Sequence, residues 1–437
     1  MKKITYIILM SLFLIGSASA QQEKGIIGTE NWLDNWTDFR PKVADYGEPN
    51  EILTGTITED MRLNKRDTYL LLGNVFVTDS VTLTIEPGTV IIGDFESKGS
   101  LTISKGATLI AEGLETDPII FTSNRSVKKA GDWGGLIILG DAPTNKFGNG
   151  SVASQYPNLE QSSYRYTNYG GDNPNGNSGV LKYVRIEYAG KKMRRGGGDG
   201  FNGLLLAGVG NKTVLENIMI SYCAGDSFKV MGGEVNLLKA VSYRSSKNDF
   251  NFNLGTQATL NNSLAIRTPY VSSSNGARCL QVVSYEKKEQ VDFTKKGTSL
   301  LAKNLTLLNS SNDLSEHIKM GLIKEAVFVG EHASLDMNKS VISGFNPAVI
   351  LDHRITINQE NLEKIKFVDM YFNNCKGNIF KENNSNNEDL ENWYGNRSFF
   401  NVYAKSQNSE TFIDLNNPKN PDFRLRINKI IAANSKN

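Results

Sequence analysis

The sequence predicts an all-β protein built as a parallel β-helix, with a cap at each end. The first observation is a serine that recurs every 21 residues, at Ser221, Ser242, Ser263 and Ser284. Self-similarity at a period of about 20 residues is typical of solenoids. The second observation is that short β-branched runs alternate with Gly and Asn turns, which favours strand-and-turn coils over helix pairs. Equivalent residues of such coils stack about 4.8 Å apart.

A second pattern, with a period of 18 residues, precedes the first. One of its rows is Leu83, Leu101, Ile119 and Ile137, and another is Ile85, Ile103, Phe121 and Leu139. Within each run apolar and polar residues alternate, so one set of side chains points inward and the other outward. We therefore expect both rows to line the interior, with turns at Pro87-Gly88 and Lys105-Gly106.

The chain divides into four predicted segments. Residues 1–20 have the charge, apolar core and small-residue end of a secretory signal, which predicts an exported protein. Residues 21–52 contain interspersed aromatic residues and are predicted to cap the first coil. Residues 53–355 form the β-helix, and residues 356–437 form a C-terminal cap and tail.

The 48 basic and 46 acidic residues give a net charge of +2, so nucleic acid is not an expected partner.

Cysteine and histidine are scarce. The three cysteines, Cys223, Cys279 and Cys375, cannot all pair within the chain, and apolar surroundings favour buried thiols over a disulfide. The three histidines are not clustered with cysteine, so no structural metal site is predicted.

Two stretches are candidate ligand surfaces. Residues 141–180 interrupt the repeats as a long loop, and long loops are often functional. Its tyrosines could stack on sugar rings or pack the loop onto the coils: Tyr156, Tyr164, Tyr166 and Tyr169. A basic turn follows, which could bind an anionic polymer or be a solvated loop: Lys191, Lys192, Arg194 and Arg195.

Several motifs resemble a group of secreted right-handed parallel β-helix proteins of Bacteroidetes, pectate-lyase-like solenoids often encoded near TonB-dependent receptors. They are residues 83–90 (LTIEPGTV), 118–123 (PIIFTS), 131–140 (GDWGGLIILG), 177–190 (NSGVLKYVRIEYAG) and 228–236 with Gly232-Gly233. The resemblance covers roughly residues 30–350. It implies the right-handed fold, a place at the cell envelope, and an outer-membrane receptor as a partner.

The chain departs from that group where acids are expected. Gly176, Gly200, Gly225 and Lys229 stand at positions where the group carries acidic residues. Calcium requires six to eight oxygen ligands, usually with several carboxylates, so the departures weaken a calcium site.

If the protein were a polysaccharide lyase or hydrolase, it would need carboxylates and a Lys or Arg base on one outward surface. The candidates are Arg185 and Glu187, two apart on one strand, and Asp226 and Asp249 in the following coils. A surface salt bridge and turn caps account for the same residues. The sequence therefore favours a non-catalytic binding or interaction protein of the cell envelope, with an envelope protein or polysaccharide as partner. A carbohydrate-active enzyme and an adhesin-like module are the alternatives.

Overall fold

The computed structural model describes residues 24–156, 159–191, 200–271, 277–384 and 386–426. The predicted signal segment, residues 1–20, lies outside them. Most of the described chain forms one 29-stranded sheet that winds around a central core. Every pairing within this sheet is parallel, so the predicted parallel β-helix is confirmed.

The strands, in chain order, are β1 (Glu51–Ile57), β2 (Met61–Leu63), β3 (Thr68–Val77), β4 (Thr82–Ile85), β5 (Val90–Gly93), β6 (Ser100–Ile103), β7 (Thr108–Glu112), β8 (Ile119–Ser123), β9 (Gly135–Leu139), β10 (Gly150–Ser151), β11 (Asn168–Tyr169), β12 (Gly179–Glu187), β13 (Leu204–Ala207), β14 (Val214–Ser221), β15 (Phe228–Met231), β16 (Glu234–Leu238), β17 (Val241–Tyr243), β18 (Phe250–Asn253), β19 (Gln257–Asn261), β20 (Leu264–Arg267), β21 (Leu280–Val282), β22 (Ser299–Lys303), β23 (Thr306–Asn309), β24 (Val327–Val329), β25 (Ser334–Asn338), β26 (Val341–Ser343), β27 (Val349–Leu351), β28 (Ile365–Val368), β29 (Tyr371–Asn373), β30 (Ile379–Lys381), β31 (Val402–Ala404), β32 (Phe412–Asp414) and β33 (Asp422–Leu425).

The helices are short. The α-helices are α1 (Leu314–Lys319), α2 (Gln359–Leu362), α3 (Glu388–Tyr394) and α4 (Asn408–Thr411), and 3₁₀ turns span Pro41–Val43, Ala153–Gln155, Gln161–Thr167, Lys288–Gln290 and Arg397–Phe399. In the described part of the chain, no helix is long and apolar enough to cross a bilayer.

Each coil has three faces, A, B and C, and the chain passes through them in that order. Face A contains β2, β4, β7, β16, β19, β22, β25, β28 and the first halves of β12 and β14. Face B contains β5, β8, β17, β20, β23, β26, β29, β31, the second halves of β12 and β14, and the starts of β1 and β3. Face C contains β6, β9, β13, β15, β18, β21, β24, β27, β30 and the ends of β1 and β3.

The predicted period of 21 residues is wrong, because it does not match the register of the paired strands. Met219 pairs with Val241, and Val241 pairs with Leu264, so these coils are 22 and 23 residues long. Ser242 therefore lies opposite Ile220 rather than opposite Ser221. Later coils are longer, because the turns between faces grow while the strands stay short. Leu260, for example, pairs with Ala302.

The 18-residue pattern connects different faces instead of successive coils. Leu83 on face A pairs with Leu109, whereas Leu101 on face C pairs with Leu136. The inward assignment still holds for most of the two rows, including Ile103 and Phe121, which are fully buried in the central core. It is wrong for Ile137 and Leu139, which point out of face C and are buried under the loop that follows.

Face B and the early coils of face C are covered, whereas face A is open. The 141–180 loop packs on face C, where its residues form an apolar cluster with Phe76, Leu205 and Ala207. Along face A exposed or half-exposed side chains alternate with buried ones, as in β16 and β22. An outward row of polar side chains is therefore accessible there.

The N-terminal segment covers face B rather than the first coil, which corrects the predicted cap. Residues 24–50, here called the N-terminal strap, run across the coils from the C-terminal end toward β1. Gly25 donates to the Lys339 carbonyl (2.8 Å), and further along Trp36 and Phe39 are buried against the outward side chains of face B. The strap thereby covers an apolar row that would otherwise face water.

The β-helix continues beyond residue 355, the predicted boundary. Strands β28, β29 and β30 extend all three faces, and β31 adds a final strand to face B. Helix α3 then covers the core with Leu390 and Tyr394, which belong to the central cluster. The antiparallel pair β32–β33 packs beside the strap on face B. All three cysteines are free thiols, and Cys223 and Cys279 are buried.

Candidate functional site

A cavity of about 330 Å³ lies where face C turns into face A, and we call it the corner pocket. Three turns of successive coils enclose it, at residues 283–298, 330–334 and 354–365. Its volume is within the range of small-ligand sites. The residues used below line it: Asn145, Ser284, Asp292, Phe293, Lys295, Glu331, His332, Arg354, Asn361 and Lys364.

Hydrogen bonds fix the segment 283–298 at this corner. The Ser284 hydroxyl donates to the His332 carbonyl (2.6 Å) and accepts from the Thr298 amide (2.8 Å). The Asn145 side-chain amide donates to the Ser284 carbonyl (2.9 Å), and the Asn145 carbonyl accepts from the Asp292 amide. The start of the 141–180 loop and the 283–298 segment therefore form one wall.

The side-chain oxygen of Asn145 accepts no hydrogen bond from the described protein. The residue is only 2% exposed, and its amide group is already held by Ser284. A buried polar atom without a partner loses its hydration without compensation. A ligand donor in the corner pocket would remove that penalty.

Two aromatic rings that line the corner pocket together with Asn145 are exposed. Phe293 has 47% of its surface accessible and the His332 side chain 49%, and their ring centroids lie 5.0 Å apart. Tyr285 supports Phe293 in an edge-to-face contact at 5.7 Å. Exposed ring faces held in a cavity give a ligand apolar contact area at a small loss of side-chain entropy.

Glu331 is surrounded by donors and cations. Tyr285 donates to it through a short hydrogen bond, and Arg354 Nη1 lies 3.7 Å away. Burial and the neighbouring Glu331 raise the pKa of Tyr285 to about 12, so the phenol stays neutral at physiological pH. Arg354 donates two hydrogen bonds to Asp352, at 2.9 and 2.6 Å. This hydrogen bonding raises the pKa of the Arg354 guanidinium. The Tyr285 hydroxyl and the Arg354 guanidinium are therefore fixed donors beside Glu331.

One group of side chains in the described chain could hold a metal ion: Asp352, His353 and Glu382, whose ligand atoms lie within 4.8 Å of one another. Asp352 is already occupied by the two contacts from Arg354. His353 offers a nitrogen, whereas calcium binds oxygen ligands. The group does not fit the calcium site that the lyase hypothesis required.

The four candidate catalytic residues do not meet in one cleft. Arg185 and Glu187 lie on face B beneath the strap, with Arg185 Nε 3.3 Å from Glu187 Oε1 and Arg185 Nη2 2.5 Å from the Tyr46 hydroxyl. Glu187 is 1% exposed, and burial raises its pKa to about 7. These two residues form a buried pair instead of an outward catalytic surface.

Asp226 and Asp249 point to opposite sides of face C. Asp226 accepts from the Asn251 side chain (2.8 Å) on the outer side. Asp249 is fully buried and pairs with Arg267 at 2.8 Å while accepting from the Ser242 hydroxyl at 2.6 Å. Neighbouring positions at this turn face inside and outside, so the two carboxylates have separate hydrogen-bond partners.

The tyrosines of the long loop mostly pack the loop onto face C. Tyr156 and Tyr169 are buried, so they cannot serve as a sugar platform, and the Tyr156 hydroxyl bonds to Thr102 at 2.6 Å. Tyr166 is half-buried against Phe76, and Tyr164 is exposed. Lys191 is held through its backbone by Trp133 and Phe201, while Lys192, Arg194 and Arg195 lie outside the described residues.

Sequence reasoning missed Asn145, Phe293, His332 and Arg354 as site residues. A signal existed, because the coil that contains residues 283–298 is far longer than its predecessors. The insertion holds Phe293, whereas His332 comes from the short turn between β24 and β25, and Arg354 comes from the longer segment between β27 and β28 that contains α2. Only the stacking of coils brings these residues together.

A family model described as a pectate-lyase-like beta helix domain matches residues 55–412. No curated protein and no solved structure matches the chain. The matched range begins in β1 and ends in β32, so it includes all three faces and the corner pocket. Together with the right-handed parallel coils, this match shows that the chain belongs to the family of pectate-lyase-like β-helix domains.

Proposed function

We propose that the protein is a non-catalytic binding protein of the cell envelope that holds a saccharide in the corner pocket. The observation that carries this proposal is the buried Asn145 oxygen without a partner, next to the exposed rings of Phe293 and His332. A saccharide hydroxyl can donate to that oxygen while the apolar side of the sugar ring contacts the phenylalanine. Water alone could satisfy the oxygen but would leave the rings exposed.

Polar groups around the rings favour a ligand rich in hydroxyls. Arg354 and Lys364 supply donors, and Asp292 and Glu331 supply acceptors. Hydrogen bonding to Thr294 lowers the pKa of Asp292, which keeps that acceptor ionised. Such a mixture gives orientation and specificity rather than a single electrostatic attraction.

Open face A supports an extended ligand. The strands that begin at the corner pocket, β22, β25 and β28, carry accessible side chains along face A. Because the coils stack at about 4.8 Å, equivalent side chains form regular rows. A polysaccharide chain could continue from the pocket along these rows.

The place of action follows from the predicted signal at residues 1–20. We propose that the exported protein acts as an accessory to an outer-membrane uptake system and presents bound saccharide to a receptor. Family membership is compatible with carbohydrate binding and with catalysis, so the experiment must separate the two.

The test is calorimetric titration of the mature protein with a panel of neutral and acidic oligosaccharides. We expect at least one to bind, and Phe293→Ala to weaken binding about tenfold, since a central aromatic contact contributes about 1.4 kcal/mol or more. Phe400→Ala is the matched control, because Phe400 is 68% exposed and lies outside the corner pocket. Equal affinities for wild type and Phe293→Ala would refute the pocket assignment.

The same preparations test for catalysis. We expect no unsaturated uronate from pectate or alginate, with or without added calcium, because Lys229 pairs with Glu286 at 3.0 Å where the lyase hypothesis needs metal-binding carboxylates. Steady turnover that Asp226→Ala or Arg185→Ala abolishes would replace the binding proposal with an enzymatic one.

A further inference from the structure

The corner between faces A and B carries a ladder of residues in the left-handed conformation. From Asn217 to Lys339 one residue per coil takes this conformation, namely Asn217, Lys239, Asn262, Asn304 and Lys339, and the series continues to Tyr183 on one side and Asp369 on the other. Asparagine tolerates positive φ better than most residues, and its amide can hydrogen-bond the neighbouring backbone. The ladder is therefore a column of polar side chains that runs along the solenoid.

The N-terminal strap binds the part of this ladder that contains Asn262 and Asn304. The Asn262 side chain accepts from the Ile27 amide (2.8 Å) and donates to the Ile27 carbonyl (3.0 Å). Asn304 donates to the Gly25 carbonyl at 3.2 Å. These contacts satisfy the strap backbone in the way that a neighbouring strand would.

Beyond Ile27 the strap leaves the ladder, and a cavity of about 630 Å³ opens between them. We call it the strap pocket. Residues 28–32 form one wall, and Asn217, Lys239 and Lys303 form the other. It lies at the far ends of the face A strands from the corner pocket, so the two cavities share no lining residue.

Polar atoms in the strap pocket lack partners among the described residues. Asn217 is 1% exposed, and its side-chain oxygen accepts no hydrogen bond. The Trp32 indole N–H, a donor, and the Asn31 side-chain oxygen, an acceptor, are also buried without partners. Donors and acceptors are thus both unsatisfied, which matches a ligand whose hydroxyl groups do both.

The cationic side chains in the strap pocket outnumber the anionic ones. Lys239, Lys303 and Lys339 line it, against Glu30 and Glu115. Asn35 already donates to Glu115 at 2.7 Å. Within the described chain neither Lys239 nor Lys303 forms an ion pair, and Lys303 is exposed. An acidic group placed between them would gain charge-assisted hydrogen bonds.

We propose that the strap pocket is a second, independent binding site for an acidic saccharide. Its hydroxyls would bond to Asn217, Asn31 and Trp32, and its carboxylate or sulfate would lie near Lys239 and Lys303. The Trp32 ring lines the site and stacks on the buried Trp36 ring, with centroids 6.3 Å apart. This proposal stands on its own cavity and does not require the corner pocket to bind anything.

The test uses the mature protein and its tryptophan fluorescence, to which Trp32 in the strap pocket contributes. The probes are trigalacturonate, a sulfated galactan tetrasaccharide and neutral galactotriose, which separate carboxylate, sulfate and uncharged ligands. We expect at least one acidic probe to change the emission at about tenfold lower concentration than galactotriose. The double variant Lys239→Gln/Lys303→Gln should lose about tenfold or more in affinity for that probe, because two charge-assisted contacts disappear.

Matched variants distinguish the two pockets. Lys319→Gln, which changes an exposed lysine at the end of α1, should leave the affinity unchanged. Trp32→Phe should abolish the fluorescence change, whereas Phe293→Ala should preserve it even if the corner pocket binds a saccharide. The proposal is wrong if neither acidic probe changes the emission, if galactotriose binds as well as they do, or if the lysine double variant binds like the wild type.

Discussion

Replacing Glu187 with glutamine should remove a loss of stability that occurs as the pH rises. Burial raises the pKa of Glu187 from 4.5 to about 7, although the nearby Arg185 opposes the change. A carboxyl group with a raised pKa in the folded state supports folding fully below its unfolded pKa. That support is lost as the pH rises through the folded pKa. The gap between 4.5 and about 7 corresponds to about 3 kcal/mol of unfolding free energy.

The charged groups that face Glu187 come from several elements. Arg185 shares its strand, Tyr46 and Asp38 belong to the strap, and Lys128 belongs to the turn after β8. Neither oxygen of Glu187 accepts a well-formed hydrogen bond from the described residues. Arg185 therefore offsets the desolvation of the charged form only in part, and glutamine should resemble the protonated acid.

The assay is thermal unfolding of wild type and Glu187→Gln, followed by circular dichroism between about pH 4 and pH 8.5. The two proteins should melt together at about pH 4, below the unfolded pKa, and the variant should melt a few degrees higher at about pH 8.5, since a kcal/mol shifts the midpoint of a large domain by about 2–4 °C or less. Glu112→Gln, an exposed change on a neighbouring strand of face A, is the control. Parallel loss of stability in wild type and Glu187→Gln would refute the assignment.

Three further predictions use the same unfolding assay. Phe121→Asp places an unpaired carboxylate in the central core and should cost several kcal/mol; a melting temperature within about a degree of wild type would mean that Phe121 does not face inward. Arg267→Met leaves Asp249 buried without its ion-pair partner and should lower the unfolding free energy by about 3–5 kcal/mol. Lys65→Met, at an exposed ion pair, should lower it by less than about 1 kcal/mol, and similar losses for the two variants would contradict the burial of the Arg267–Asp249 pair. Trp36→Ala should cost about 3–5 kcal/mol because the fully buried ring anchors the strap, and an unchanged midpoint would show that the strap is not fixed to face B.

The alternation of apolar and polar residues determined the fold class. Leu101-Thr102-Ile103 indicates a strand with one inward face whatever strand lies next to it, because side chains alternate along any strand. The register could not be derived in this way. Leu83 and Leu101 match in type, yet each belongs to a different face, and a coil with three faces repeats the same local pattern three times.

The same limit applies to the covered surfaces. Tyr156 and Trp36 are aromatic residues of a kind that serves either as a ligand platform or in packing. The sequence could not distinguish these two roles. Burial under the loop and along the strap distinguishes them, because it depends on contacts between segments far apart in the chain.

The sequence by itself determined the all-β solenoid, the inward position of residues such as Phe121, and the long 141–180 loop. Only the tertiary structure decided where the candidate site lies. Asn145, Phe293 and Arg354 are separated by dozens of residues and meet because parallel coils stack turns of unequal length at one corner. Local pattern encodes the direction of each side chain along its own strand, whereas the lengths of the turns decide which side chains become neighbours.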